Sequence, residues 1–98
     1  MLESDIERWL VSELKKLGCI VDKFVSPGNP GVPDRIIIVP GGRVIFVELK
    51  SDTGSLRKIQ KYQHKRYTVA GADVRVIKGK AEASAFVREV KLWLEGRN

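Results

Sequence analysis

The strongest constraint on the fold of this chain is a short break between two apolar runs. Residues 35–39 and 43–50 are dense in Ile, Val and Phe, and Pro40-Gly41-Gly42 separates them. That arrangement predicts an antiparallel hairpin. Its near-continuous apolar character predicts strands buried on both faces. A helix is expected before the hairpin: Ser4-Asp5-Ile6-Glu7 has capping-box spacing, Ile6, Leu10, Leu14 and Leu17 form one stripe, and Gly18 closes the segment. Residues 19–25 read as a strand, and the three prolines and two glycines of 26–33 as a shaped loop. Ser55 is placed to cap a helix over 56–70, which Gly71 ends. Residues 73–78 alternate as a fourth strand, and 81–95 carry a last stripe of Phe86, Val87, Val90 and Leu94. The expected order is α-β-β-β-α-β-α, a single α/β domain over residues 1–98 around a mixed four-stranded sheet.

Composition narrows the chemistry. One cysteine and one histidine leave no internal disulfide and no ordinary structural zinc site. Cys19 reads as a small buried hydrophobe and His64 as a helix-surface residue. Trp9 and Trp93 fall among apolar helix neighbours and read as core or interface. No apolar run is long enough for a membrane span, and the acidic opening Met-Leu-Glu-Ser-Asp-Ile-Glu is unlike a basic secretory leader. The net charge is +6 at a pI near 9.7, and residues 43–80 hold ten basic against three acidic side chains. Such an excess favours a polyanion, nucleic acid ahead of an anionic membrane surface.

Charges inside the hairpin are the informative ones, because burying a charge is costly without compensation. A turn of Pro40, Gly41 and Gly42 pairs Val39 with Arg43. Continuing that register sets Asp34 opposite Glu48, with Cβ atoms roughly 4.5 to 5.5 Å apart. Two carboxylates that close repel unless a proton or a cation lies between them. A divalent cation with oxygen ligands suits the pair. Lys50 shares a face with Glu48, where an ammonium can orient a nucleophile and offset phosphoryl charge. The competing reading is an ordinary cross-strand salt bridge on a solvated face. In the helix that follows, Leu56, Ile59, Gln63 and Tyr67 share one side with Gln60 at its edge, where Gln60 either faces inward or reaches solvent as a helix-surface glutamine, while Arg57, Lys58, Lys61 and Lys65 cluster on another side.

Pro33-Asp34 with Glu48-Leu49-Lys50 resembles the motif of the PD-(D/E)xK nuclease superfamily. Gly31 to Arg35, reading Gly-Val-Pro-Asp-Arg, then Phe46 to Lys50, reading Phe-Val-Glu-Leu-Lys, then Gln60, resemble more narrowly the virus-type replication-repair nuclease family, VRR-NUC. The resemblance runs from Glu7 to about Lys78. It implies a restriction-endonuclease-like core and a Mg²⁺-dependent phosphodiesterase in which Mn²⁺ substitutes. Asp34, Glu48 and the Leu49 backbone carbonyl would be ligands, Lys50 would handle the attacking water, and Gln60 would support Lys50 or the water. Glu7 is a site residue near the metal, directly or through water, or else only the N3 residue of the Ser4 capping box. Lys23 is a phosphate contact or a solvated strand lysine.

The function expected is a structure-selective DNA endonuclease acting on branched or four-way (Holliday) junction DNA. A homodimer through the C-terminal helix is expected, with Trp93 and Leu94 at the contact, in the cytoplasm of a bacterial or phage-infected cell. Lys23, Arg35, Arg57, Lys58, Lys61 and Lys65 would bind DNA. The rivals are a non-catalytic nucleic-acid-binding domain on the same fold and a sequence-specific restriction enzyme. The first has no use for opposed carboxylates, and the second usually needs more chain for reading bases.

Overall fold

In the computed structural model, which describes residues 2–96, the hairpin is the centre of the sheet. The elements run α1 (Glu3–Lys16), β1 (Ile20–Lys23), β2 (Arg35–Val39), β3 (Arg43–Lys50), α2 (Lys58–Val69), β4 (Asp73–Lys78) and α3 (Gly79–Glu95). The sheet order is β1-β2-β3-β4. The first two pairings are antiparallel and β3–β4 is parallel, with α2 as the crossover that parallel pairing requires. Val39 pairs with Arg43 and Arg35 with Val47, the expected register.

Side-chain alternation divides the sheet into two unlike faces. Val21, Ile37, Val39, Ile45, Val47, Leu49 and Ile77 point to one side and pack with Ile6, Leu10 and Leu14 of α1 and Phe86, Val87 and Val90 of α3. Cys19 belongs to this core, and its thiol is pushed up by burial. Trp9 and Trp93 pack at its edge, beneath Lys80 and Arg43 respectively, with Arg43 3.6 Å from the Trp93 ring centre. The opposite face carries α2 alone. There Phe24, Phe46 and Tyr67 meet edge to face at 5.2 to 5.9 Å. One helix does not cover the whole sheet, so Val44 and Ile20 are exposed. The expectation of strands buried on both faces therefore holds for one face only.

Neither expected serine cap forms. Leu2, not Ser4, is the N-cap of α1, and its carbonyl receives the Asp5 and Ile6 N–H groups. Glu7 is thereby released from any cap. Ser55 does not cap α2 either; the N-cap is Arg57, whose N–H is taken by Gln60 Oε1 at 2.8 Å. At α3, Glu82 Oε1 accepts the Lys78 N–H at 2.8 Å, and the helix starts two residues earlier than expected. At α2 and α3 a side chain from inside the helix accepts the N-cap N–H, while α1 has no side-chain cap.

The Pro/Gly loop is pinned onto the start of α2 at Gly31. Its φ is +94°, and a Cβ there would lie 2.9 Å from the Ile59 carbonyl oxygen and 3.1 Å from the Gln60 nitrogen. Gly31→Ala adds left-handed strain and a backbone clash, and is expected to destabilise by about 1–3 kcal/mol. Urea denaturation measures it. An unchanged midpoint would mean that the loop moves freely from the helix.

Candidate active site

Three elements converge at one end of the α2-covered face. Extending the β2–β3 register by one residue places Asp34 opposite Glu48. Glu48 and Lys50 share that face because strand residues two apart do. Glu48 is 5% exposed, whereas Asp34, at the mouth of β2, is exposed. The helix α2 then lowers a polar stripe onto Glu48. Gln60 Nε2 lies 3.4 Å from Glu48 Oε2, Lys50 Nζ lies 3.9 Å from the same oxygen, and His64 Nε2 lies 3.7 Å from Oε1.

Electrostatics follow from this crowding. Desolvation first, and the Asp34 charge second, push the Glu48 carboxyl up to about 7, against the pull of Lys50 and the Asp34 backbone N–H. Asp34 is also raised, by desolvation and then by Glu7. Glu3 adds negative charge felt by both. It stands one turn before Glu7 on α1 and was not singled out in the sequence. The i, i+4 spacing of the two glutamates was the available signal.

Glu7 is held by Arg35, whose Nε donates to Oε2 at 3.1 Å. This pair ties α1 to β2 beside Asp34 and is the use the fold makes of Glu7 in place of a cap. Arg35, expected to face DNA, has a side chain only 17% exposed in that pair. Lys23 pairs with Arg35 across β1–β2 and is exposed. Together with Glu7, Phe24, Asp34 and Arg35 it lines a cleft of about 280 Å³. Arg57, Lys58, Lys61 and Lys65 are exposed on α2, a helix that carries no acidic residue.

His64 overturns its expectation. It is buried, not on the helix surface. Gln60 inward implies His64 inward one turn later, so the wheel held the signal. Ile59, expected inward, is exposed instead. Gln63 is buried and satisfied by Arg66, so the inward face of α2 is largely polar.

Whether a cation suits the site can be judged from Glu48 itself. Its Oε1 is buried and has no hydrogen-bond partner among the described residues. A raised carboxyl with a free oxygen, opposite a second carboxylate, is the donor set a hard divalent cation takes. Among the described residues there is no cluster of three or more His, Cys, Asp and Glu side chains placed to hold a metal. Two carboxylates with a backbone carbonyl are nonetheless sufficient for Mg²⁺, which keeps several waters.

Comparison with known proteins identifies relatives of the chain and of its fold. No family model matches the chain. The chain is 45% identical over 75 residues to the protein described as "Putative nuclease p44" of Acyrthosiphon pisum secondary endosymbiont phage 1, covering 76% of this chain and 81% of that one. A solved structure described as a VRR_NUC domain superposes with a TM-score of 0.82 at 26% identity, covering 88% of this chain and 94% of that one. A second, described as a VRR_NUC domain protein, gives 0.71 at 15% identity over 92% and 88%, and speaks to the fold.

Proposed function

We propose, given that the chain belongs to the VRR-NUC family of nucleases, that it is a metal-dependent, structure-selective endonuclease that hydrolyses phosphodiesters in branched DNA. The observation that carries the proposal is the buried Glu48 set opposite Asp34, with Lys50 on the same face. A module that only held DNA gains nothing from two carboxylates that repel phosphate.

Asp34, Glu48 and the Leu49 carbonyl would hold Mg²⁺, with Mn²⁺ substituting and Glu7 near enough to act through water. The cation, when bound, supplies Lewis-acid polarisation of the phosphoryl group and a more acidic water. The protein's own groups do the rest. Lys50 presents its ammonium beside Glu48, where it can orient water and offset charge gathering on phosphoryl oxygens. Gln60 holds Glu48 Oε2 through its amide while its carbonyl closes the first turn of α2, so the support is tied to the helix start. Arg57, Lys58, Lys61 and Lys65 at α2, with Lys23 and the remaining edge of Arg35 in the cleft, would contact phosphates without reading bases. Selection would then come from DNA shape, with four-way junctions the leading substrate.

Two such sites on a symmetric dimer would address two strands. Exposed Leu92 and half-buried Trp93, with Val39, Pro40 and Arg43, line a groove of about 480 Å³ by the C-terminal helix that could form the contact. No helix among the described residues is long and apolar enough to cross a membrane. With a phage-borne relative, a place in the cytoplasm of a bacterial or phage-infected cell suits the reading.

Four-way, flap and linear duplexes of matched length, incubated with Mg²⁺, test the selectivity. Preferential cleavage of the branched substrates is expected, with the four-way junction cut on two strands. Equal rates on linear DNA would overturn selection by shape, and sedimentation as a monomer on junction DNA would overturn the dimer.

A further inference from the structure

The least expected feature of the site is a buried histidine with nothing to do. His64 is 6% exposed, and neither ring nitrogen has a hydrogen-bond partner among the described residues. Leaving a buried polar group unpaired is costly, so such groups are rare in folded proteins. The Glu48 oxygen that faces it, Oε1, is also buried and unpaired. Two orphaned atoms, one able to donate and one able only to accept when ionised, stand 3.7 Å apart. That is some tenths of an ångström beyond hydrogen-bond length.

We propose that His64 is a positioning residue for Glu48: its Nε2–H closes onto Oε1 when Glu48 takes up a divalent cation, fixing the carboxylate in its ligating orientation. The inference rests on the metal-dependent reading above. Gln60 and His64 stand at i and i+4 on α2, so one helix face sets a donor against each carboxylate oxygen, Gln60 already bonded to Oε2 and His64 3.7 Å from Oε1. A carboxylate oxygen has two lone pairs, enough for the cation and the imidazole together. Burial first, and Lys50 second, hold the imidazole below its ordinary value. Outer partners of ligands commonly carry about 10–100-fold of metal affinity.

Calorimetric titration of Mn²⁺ into the DNA-free protein tests this, using wild type, His64→Leu, His64→Gln and Asp34→Asn. Gln is chosen because its Nε2 falls where the imidazole Nε2 lies. Binding is expected to weaken about tenfold or more in His64→Leu and to recover largely in His64→Gln. The metal-free melting temperature of His64→Leu should equal or exceed that of wild type, because an unpaired polar ring has been removed. Wild-type affinity in His64→Leu would overturn the proposal, as would equal loss in Leu and Gln. Absence of Mn²⁺ binding by wild type would instead overturn the metal-dependent reading itself. Binding by wild type but not by Asp34→Asn leaves that reading standing and isolates the role of His64.

Discussion

Glu48→Gln is expected to abolish cleavage while making the metal-free protein more stable. Glu48 is buried, and its carboxyl sits near 7 because desolvation and Asp34 oppose its charge. Gln has the same shape and no charge. At pH 8 the substitution removes most of that opposition, a gain of up to roughly 3 kcal/mol by the linkage between proton affinity and stability. The Lys50 and Gln60 contacts offset part of it. Catalysis should fall by about 10³-fold or more, the scale set by losing a principal electrostatic stabiliser. Urea denaturation at pH 8 and a cleavage assay read the two effects separately. Loss of stability together with loss of cleavage would make Glu48 a structural residue, contrary to a carboxylate that the fold holds at a cost.

The same carboxyl sets a pH dependence opposite to that of most acidic side chains. A paired carboxylate is usually depressed in the folded state and stabilises as pH rises. Glu48 is raised, so the folded protein binds the proton more tightly than the unfolded chain does. Its contribution is complete below the unfolded value of 4.5 and is lost as pH rises through about 7. Asp34, also raised, adds in the same direction. Metal-free protein should therefore lose roughly 3 kcal/mol from Glu48 between pH 4.5 and 8. Millimolar Mn²⁺ should restore much of it at pH 8, because a cation favours the ionised pair. Thermal melts across that range with EDTA and with Mn²⁺ check both arms. A flat profile in EDTA, or no shift with Mn²⁺, would contradict the carboxylate pairing.

The hairpin and its register were legible because they depend on local signals. A Pro-Gly-Gly turn fixes which residues face each other, and side-chain period two then carries Asp34 to Glu48. The fourth strand was legible from its alternation, and the first three α1 stripe residues, Ile6, Leu10 and Leu14, are buried. Helix starts were less legible. Ser4 and Ser55 had the right chemistry for caps, but α1 begins at Glu3, ahead of Ser4, and α2 begins after Arg57, whose N–H is taken by Gln60, a residue that also reaches Glu48. His64 was misread for a related reason. A lone histidine beside four lysines and arginines looks solvated. Only the inward placement of Gln60, four residues earlier, marks it as facing the sheet. The polar inward stripe of α2 thus broke the rule that the core side of a helix is apolar, and it did so at the site.

Site-specific loss of metal-dependent cleavage is the most direct measurement of the central claim that a divalent cation between Asp34 and Glu48 supports DNA hydrolysis. Four-way junction DNA is incubated with wild type or Asp34→Ala in Mg²⁺, Mn²⁺ or EDTA, and products are resolved by denaturing electrophoresis. Asp34 is exposed, so the variant should fold. Cleavage by wild type with either metal, and none in EDTA or by Asp34→Ala, is the expected result. Cleavage that persists in EDTA, or that Asp34→Ala supports at the wild-type rate, would contradict it.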